Sequence, residues 1–227
     1  MIRIIAGKHK RQNLFVPKGR LVRPTSDRTR TALFNVLGSW IYDKNILELF
    51  AGSGCVGFEC LSRGAKHVTF VEKSSVALKC IRQNAKQLNE TEKIDIRVED
   101  VFRFLENVEQ AACLSEAGEL KTEIEDQTTS TMLPLQRSLT RRMLGGNKIE
   151  NSFDFIYADP PYRDSDIFML LEKISLSKVA NRDSIIVIEH EKRKEILEGE
   201  IYSGWECYKN ARYGKAILSY FKEKLEI

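Results

Sequence analysis

The 227-residue chain lacks the features that would place it outside ordinary globular proteins. No apolar run approaches the roughly 18–20 residues that a membrane helix needs, so no membrane partner is expected. The opening Met1-Ile-Arg-Ile-Ile-Ala-Gly-Lys-His-Lys meets charge too soon to hold a signal-peptide apolar region. No CxxC pair occurs among the five cysteines, Cys55, Cys60, Cys80, Cys113 and Cys207. An odd set without paired spacing reads as reduced, mostly buried thiols in a cytoplasmic protein. His9, His67 and His190 have no paired spacing with cysteines or carboxylates, so no metal is expected. Internal repeats are absent. With 42% hydrophobic and 30% charged residues, collagen-like, disordered and coiled-coil readings fail for the bulk of the chain.

What is present begins with uneven charge. Residues 1–30 hold nine bases (Arg3, Lys8, Lys10, Arg11, Lys18, Arg20, Arg23, Arg28, Arg30) against one acid, Asp27, although the whole chain is only +4. Such an arm on a nearly neutral body suits a polyanion, with nucleic acid the favoured one. It also carries structure signals. Residues 2–6 and 13–16 read as two short strands around a basic turn. Pro17, Gly19 and Pro24 break the chain. Thr25 or Ser26 then caps a helix with Ala32, Leu33, Val36 and Leu37 on its apolar face.

Strands and helices alternate after that. Strands are expected at 46–50, 67–71, 94–98, 153–158 and 184–189. Helices are expected at 55–62, from Ser74 or Ser75 to about Leu88, at 101–105 and at 166–176. The alternation indicates an α/β fold, a mostly parallel sheet with helices on both faces. Residues 205–213 and 216–221 flank Gly214 and read as an antiparallel hairpin closing the sheet edge, for seven strands in all. Residues 107–150 do not fit. Seven acids, a Thr-Thr-Ser-Thr run and sparse apolar positions mark an insertion, either a lid or disordered, with a helix conceivable over 109–125.

Two segments carry chemistry. Glu48-Leu-Phe50-Ala-Gly52-Ser53-Gly54-Cys-Val-Gly57 places G-x-G-x-x-G after a strand and at the mouth of a helix. Glu72 ends the next strand, where a carboxylate can accept from two ribose hydroxyls. The same geometry suits NAD or S-adenosylmethionine. Glu48 favours the latter, because an acid there repels a pyrophosphate and suits the ammonium of a methionine moiety. Asp100 can accept from an adenine amine, cap the helix at Val101, or do both. Phe50, Ser53, Lys73 and Val101 flank these positions and complete the expected cofactor set.

Asp159-Pro160-Pro161-Tyr162 follows an apolar strand. The prolines end the strand in a rigid turn at the carboxyl end of the sheet. A carboxylate, an uncommitted Pro160 carbonyl and an aromatic face suit a planar base with an exocyclic amine.

Together, Arg23-Pro-Thr25-Ser-Asp-Arg28-x-Arg30, Leu-Phe-Ala-Gly-Ser-Gly, Leu61-Ser-Arg-Gly64-Ala and Asp-Pro-Pro-Tyr resemble the RsmD family, bacterial 16S rRNA guanine-N2 methyltransferases of the class I, S-adenosylmethionine-dependent type. The resemblance extends to Ile4-Ile-Ala-Gly-Lys8 and Arg212-Tyr-Gly. It implies a Rossmann-like domain over 41–227 and an RNA-facing β/α extension over 1–40. It implies that Glu48, Gly52, Gly54 and Glu72 hold the cofactor, and that Asp159, Pro160, Pro161 and Tyr162 hold the target guanine. It further implies that Lys8, Lys10, Arg11, Arg23, Thr25, Arg28, Arg30 and Arg212 meet 16S rRNA in the small ribosomal subunit. A monomer is expected. The competing readings are a DNA adenine-N6 methyltransferase, which lacks a visible target-recognition domain; a non-catalytic RNA-binding module, for which Asp-Pro-Pro-Tyr has no use; and a NAD-dependent oxidoreductase, which lacks hydride-chemistry residues.

Overall fold

A computed structural model describes residues 2–17, 27–125, 152–161, 165–191 and 196–224. Arm strands β1 (Ile2–Arg3) and β2 (Asn13–Leu14) pair antiparallel, Ile2 opposite Leu14. Helix α1 (Asp27–Leu37) leads into β3 (Asn45–Leu49), α2 (Cys55–Ser62), β4 (His67–Glu72), α3 (Ser75–Leu88), β5 (Ile94–Val98) and α4 (Val101–Glu125). Then come β6 (Phe153–Ala158), α5 (Ser165–Ser177), β7 (Ala180–Glu191), β8 (Ile201–Tyr202), β9 (Trp205–Tyr213) and β10 (Ala216–Glu223).

The main sheet runs in the order β5-β4-β3-β6-β7-β10-β9-β8. Strands β3 to β7 are parallel, and β8, β9 and β10 are antiparallel to their neighbours. Among the described residues the sheet thus has eight strands rather than the expected seven. The extra one is the two-residue β8, too short for an alternating pattern to announce it. Order reverses at β3, with β4 on one side and β6 on the other, so a crevice opens at their carboxyl ends.

Alternation along the strands separates two cores. Ile46, Phe70, Phe155, Tyr157 and Val187 face α1, α2, α3 and the arm, where Ile4, Leu14, Leu33, Phe34, Val56, Phe58 and Ile81 meet them. Leu47, Leu49, Ile156, Ala158, Ile186 and Ile188 face α4 and α5, through Phe104, Leu105, Leu170 and Leu171. The arm therefore shares the first core rather than standing apart.

Two helices differ from expectation. Helix α1 buries Thr29, Arg30, Leu33, Phe34 and Leu37, while Ala32 and Val36 are only half-buried. Its inner face is turned toward Arg30, which a hydrophobicity pattern counts as outside. Helix α4 does not stop at Leu105 but runs to Glu125, so the insertion begins as a packed helix. Val108 and Ala111 continue the buried row of Val101, Phe104 and Leu105, and Lys173 of α5 meets Glu106 at 3.2 Å. The rest of the insertion, 126–150, lies outside the described residues. The five cysteines are free thiols, four buried and Cys113 exposed. Among the described residues no helix is long and apolar enough to cross a membrane, and no group of three His, Cys, Asp or Glu could hold a metal.

Candidate active site

The Gly-rich loop follows β3 and the Asp-Pro-Pro turn follows β6. Leu49 pairs with Ala158, so Phe50 and Asp159 leave neighbouring strands side by side. The loop is bent by three residues with positive φ, Phe50 (54°), Gly52 (57°) and Gly54 (72°). Phe50 carries backbone strain in this conformation, and its ring is held edge-on by Phe102 at 6.2 Å. Gly52 faces open space, so a ligand can reach the backbone there. Gly57 is needed for another reason: a Cβ would lie 2.5 Å from Phe70 and 2.7 Å from the Glu48 carboxylate.

Glu48 is only 2% exposed, and its carboxylate accepts from Gly57 N at 2.7 Å and more weakly from Val56 N at 3.4 Å. Burial raises its pKa to about 8, against the opposing pull of these two amides and Arg30. The side chain turns into the loop, where the amides at the α2 N-terminus are its donors. The side chain thus takes up α2 N-terminal amides that a dinucleotide's pyrophosphate would use.

Glu72 stands across the loop. One oxygen accepts from Gly52 N at 2.8 Å, and the other from Lys73 N at 2.8 Å and Ser74 N at 2.7 Å. These bonds tie the loop to the end of β4 and leave part of the carboxylate's acceptor capacity open. Asp100 caps α4 through Phe102 N at 3.0 Å and meets the exposed Lys73 at 2.8 Å; that bond holds its pKa below the usual range. Val101 is buried beneath it.

Asp159 is half-buried, Pro160 buried and Pro161 exposed. Burial, then the nearby charges of Glu189 and Glu48, push the Asp159 carboxyl well above the carboxylate range. Glu189, at the end of β7, is 6% exposed and accepts from the Tyr157 hydroxyl at 2.6 Å. Glu189 escapes a reading of the sequence, although it ends an apolar strand at the level where ligands bind. Tyr162, Arg23 and Thr25 lie outside the described residues.

The expected RNA-facing residues divide. Lys10, Arg11 and Arg28 are exposed. Arg212 is also exposed; its strand turns back at Gly214, and Ala216 pairs with Glu191, so it lies at the same sheet end as Asp159. Lys8 is engaged by Glu90 at 2.5 Å, alongside His9 at 2.6 Å. Arg30 is 0% exposed and cannot touch RNA. Its guanidinium donates to Asp27 at 2.6 Å and the Arg3 carbonyl at 2.8 Å, and lies 3.8 Å from buried Glu59. Glu59 in turn accepts from Ile5 N at 2.7 Å, Ala6 N at 3.0 Å and Arg63 at 2.8 Å. Together they clamp the arm to α2.

A crevice at the strand-order reversal, a glycine loop whose anion position is filled by Glu48, and carboxylates at three strand ends define an S-adenosylmethionine-dependent methyltransferase of the Rossmann-like kind. The acceptor-rich lining (Glu72, Asp100, Asp159) fits a ligand that offers hydroxyls, amines and positive charge, and disfavours a dinucleotide. The family described as Conserved hypothetical protein 95 matches residues 2–115 and 114–222, and the chain belongs to that family. It is 27% identical over 219 residues to the ribosomal RNA small subunit methyltransferase D of Haemophilus influenzae, covering 96% of this chain and 91% of that one. Its likeness to the Escherichia coli protein of the same name is 48% over 71 residues, 31% of this chain and 36% of the relative. The fold resembles an RNA methyltransferase from Salinibacter ruber solved with S-adenosyl-L-homocysteine, at TM-score 0.54 and 10% identity over 90% of this chain and 96% of that one.

Proposed function

We propose that the protein methylates the exocyclic N2 amine of a guanine in bacterial 16S rRNA, within the small ribosomal subunit, in the cytoplasm and as a monomer. The observation that carries this reading is the Asp159-Pro160-Pro161 turn, which leaves β6 beside the glycine loop that leaves β3. Relatives named as ribosomal RNA small subunit methyltransferases support the choice of RNA over DNA. Gly52, Ser53, Gly54, Phe50, Glu72, Lys73, Asp100 and Val101 form the cofactor side, with Glu48 shaping the loop from within. Lys10, Arg11, Arg28 and Arg212, with Arg23 and Thr25, form the RNA side of the 1–40 extension and its surroundings.

When bound, S-adenosylmethionine would supply an electrophilic methyl on a sulfonium, its carbon–sulfur bond breaking to leave neutral S-adenosylhomocysteine as the new carbon–nitrogen bond forms. The chain's own work is to aim a poor nucleophile at it. Asp159 and the Pro160 carbonyl accept the two N–H bonds of the amine, and Tyr162 stacks on the ring. Positive charge grows on the nitrogen as its bond to carbon forms, so the Asp159 interaction strengthens toward the transition state. Ionised Asp159, with its raised affinity for protons, is placed to take the proton that the nitrogen then sheds. Labelled S-adenosylmethionine offered with small subunits, free rRNA and DNA tests the reading: label in one guanine of 16S rRNA is expected, and label in DNA adenine or in nothing overturns it.

A further inference from the structure

Asn84 is a polar side chain outside the crevice, in the middle of α3 and 0% exposed. Its Oδ1 accepts from Phe15 N at 2.7 Å. Its Nδ2 donates to the Phe15 carbonyl at 3.0 Å and to the Ser53 carbonyl at 3.1 Å. The first two bonds grip the arm where it leaves β2, as a neighbouring strand would. The third reaches the glycine loop between Gly52 and Gly54. One nitrogen therefore ties the arm to the loop. An amide is required: it alone offers two donors and an acceptor from one planar group. A carboxylate would set charge against two carbonyls.

We infer that Asn84 is a positioning residue that couples the seating of the basic arm to the shape of the cofactor loop. The inference rests on the proposed methyltransferase reading. It assigns to Asn84 a joint effect on cofactor and RNA, although it touches neither. Gln87, one turn further along α3, provides the contrast. Its Nε2 donates to the Asn13 carbonyl at 2.7 Å, so it holds the arm without reaching the loop.

The test compares wild type with Asn84→Ala, Asn84→Ser and Gln87→Ala. Calorimetry reads S-adenosylhomocysteine affinity, and steady-state methylation of small subunits reads KM and kcat. Asn84→Ala is expected to weaken S-adenosylhomocysteine about tenfold and to raise KM for both S-adenosylmethionine and subunits, with kcat at saturation nearly kept. Asn84→Ser, which keeps one hydroxyl donor, should fall between. Gln87→Ala should raise KM for subunits alone. A folded Asn84→Ala or Asn84→Ser protein with wild-type affinity overturns the coupling while leaving the methyltransferase reading intact. A Gln87→Ala loss of cofactor affinity equal to that of Asn84→Ala overturns it too, since any loosening of the arm would then suffice. Wild type that binds no S-adenosylhomocysteine overturns both.

Discussion

The two faces of the sheet are built from the same strands and differ in what they bury. The face toward α4 and α5 is filled by Leu47, Leu49, Val71, Ile156, Leu170 and Leu171, with neutral hydroxyls and His190 as its buried polar groups among the described residues. The face toward α1, α2, α3 and the arm buries Arg30, Glu59, Glu90 and Glu189, with the protonated Glu48 among them. Buried charge is costly unless paired, whereas hydrophobic packing holds the other face. The charged face is therefore where the fold tolerates that cost, and there it docks an arm and shapes a site.

The largest expected effects are on stability, and the faces differ in whether RNA binding falls with it. Glu59→Ala takes the acceptor from two arm amides and Arg63 and removes the carboxylate beside Arg30, and should cost about 3–5 kcal/mol. Leu171→Ala, on the other face, leaves a cavity worth about 2–5 kcal/mol. Only the first should also weaken RNA binding, because it releases the arm. Urea unfolding with RNA titration reads both, and equal RNA affinities would dissolve the contrast. Next in size, Asp159→Asn should lower single-turnover methylation roughly 10²-fold while leaving stability and S-adenosylhomocysteine affinity near wild type. Normal turnover by that variant would remove Asp159 from the chemistry.

Glu48 gives an effect with a definite sign. The unfolded carboxyl ionises near 4.5, the folded one at about 8. Between those values the folded protein holds the extra proton, so stability falls as pH rises, and most of the fall is complete above the upper value. Glu48→Gln should flatten that part of the stability–pH curve, and an unchanged slope would show that the carboxyl is ionised in the fold. The smallest effect concerns the arm surface. Lys10→Ala with Arg11→Ala should flatten the log–log salt dependence of RNA binding by roughly 0.7–0.9 for each phosphate no longer neutralised. Lys8→Ala should change the slope less and lower stability instead, because Glu90 already holds that ammonium. A slope set by Lys8 alone would reverse this division.

Most of the candidate site is legible in the amino-acid order alone. Gly52, Gly54, Glu72, Asp100 and Asp159 all sit where strand periodicity and turn residues put them, at carboxyl ends of parallel strands. Glu189 is not, because an acid closing an apolar strand looks like a surface residue until β7 is known to lie beside β6. Arg30 misleads for the opposite reason. Its sequence neighbours place it with the basic arm, and only the approach of Glu59 and the Arg3 carbonyl turns it inward.

Local signals determined the strand–helix alternation, the parallel sheet, the closing hairpin and the two chemical turns, because backbone period and turn preference depend on near neighbours in the chain. Tertiary structure decided which charges are buried, where Glu48 points, how far α4 extends and that β8 joins the sheet. Those outcomes depend on partners far away in sequence. A charged side chain enters a core only when partners satisfy it there, and where those come from other elements, as the arm amides come to Glu59, no local pattern records the meeting.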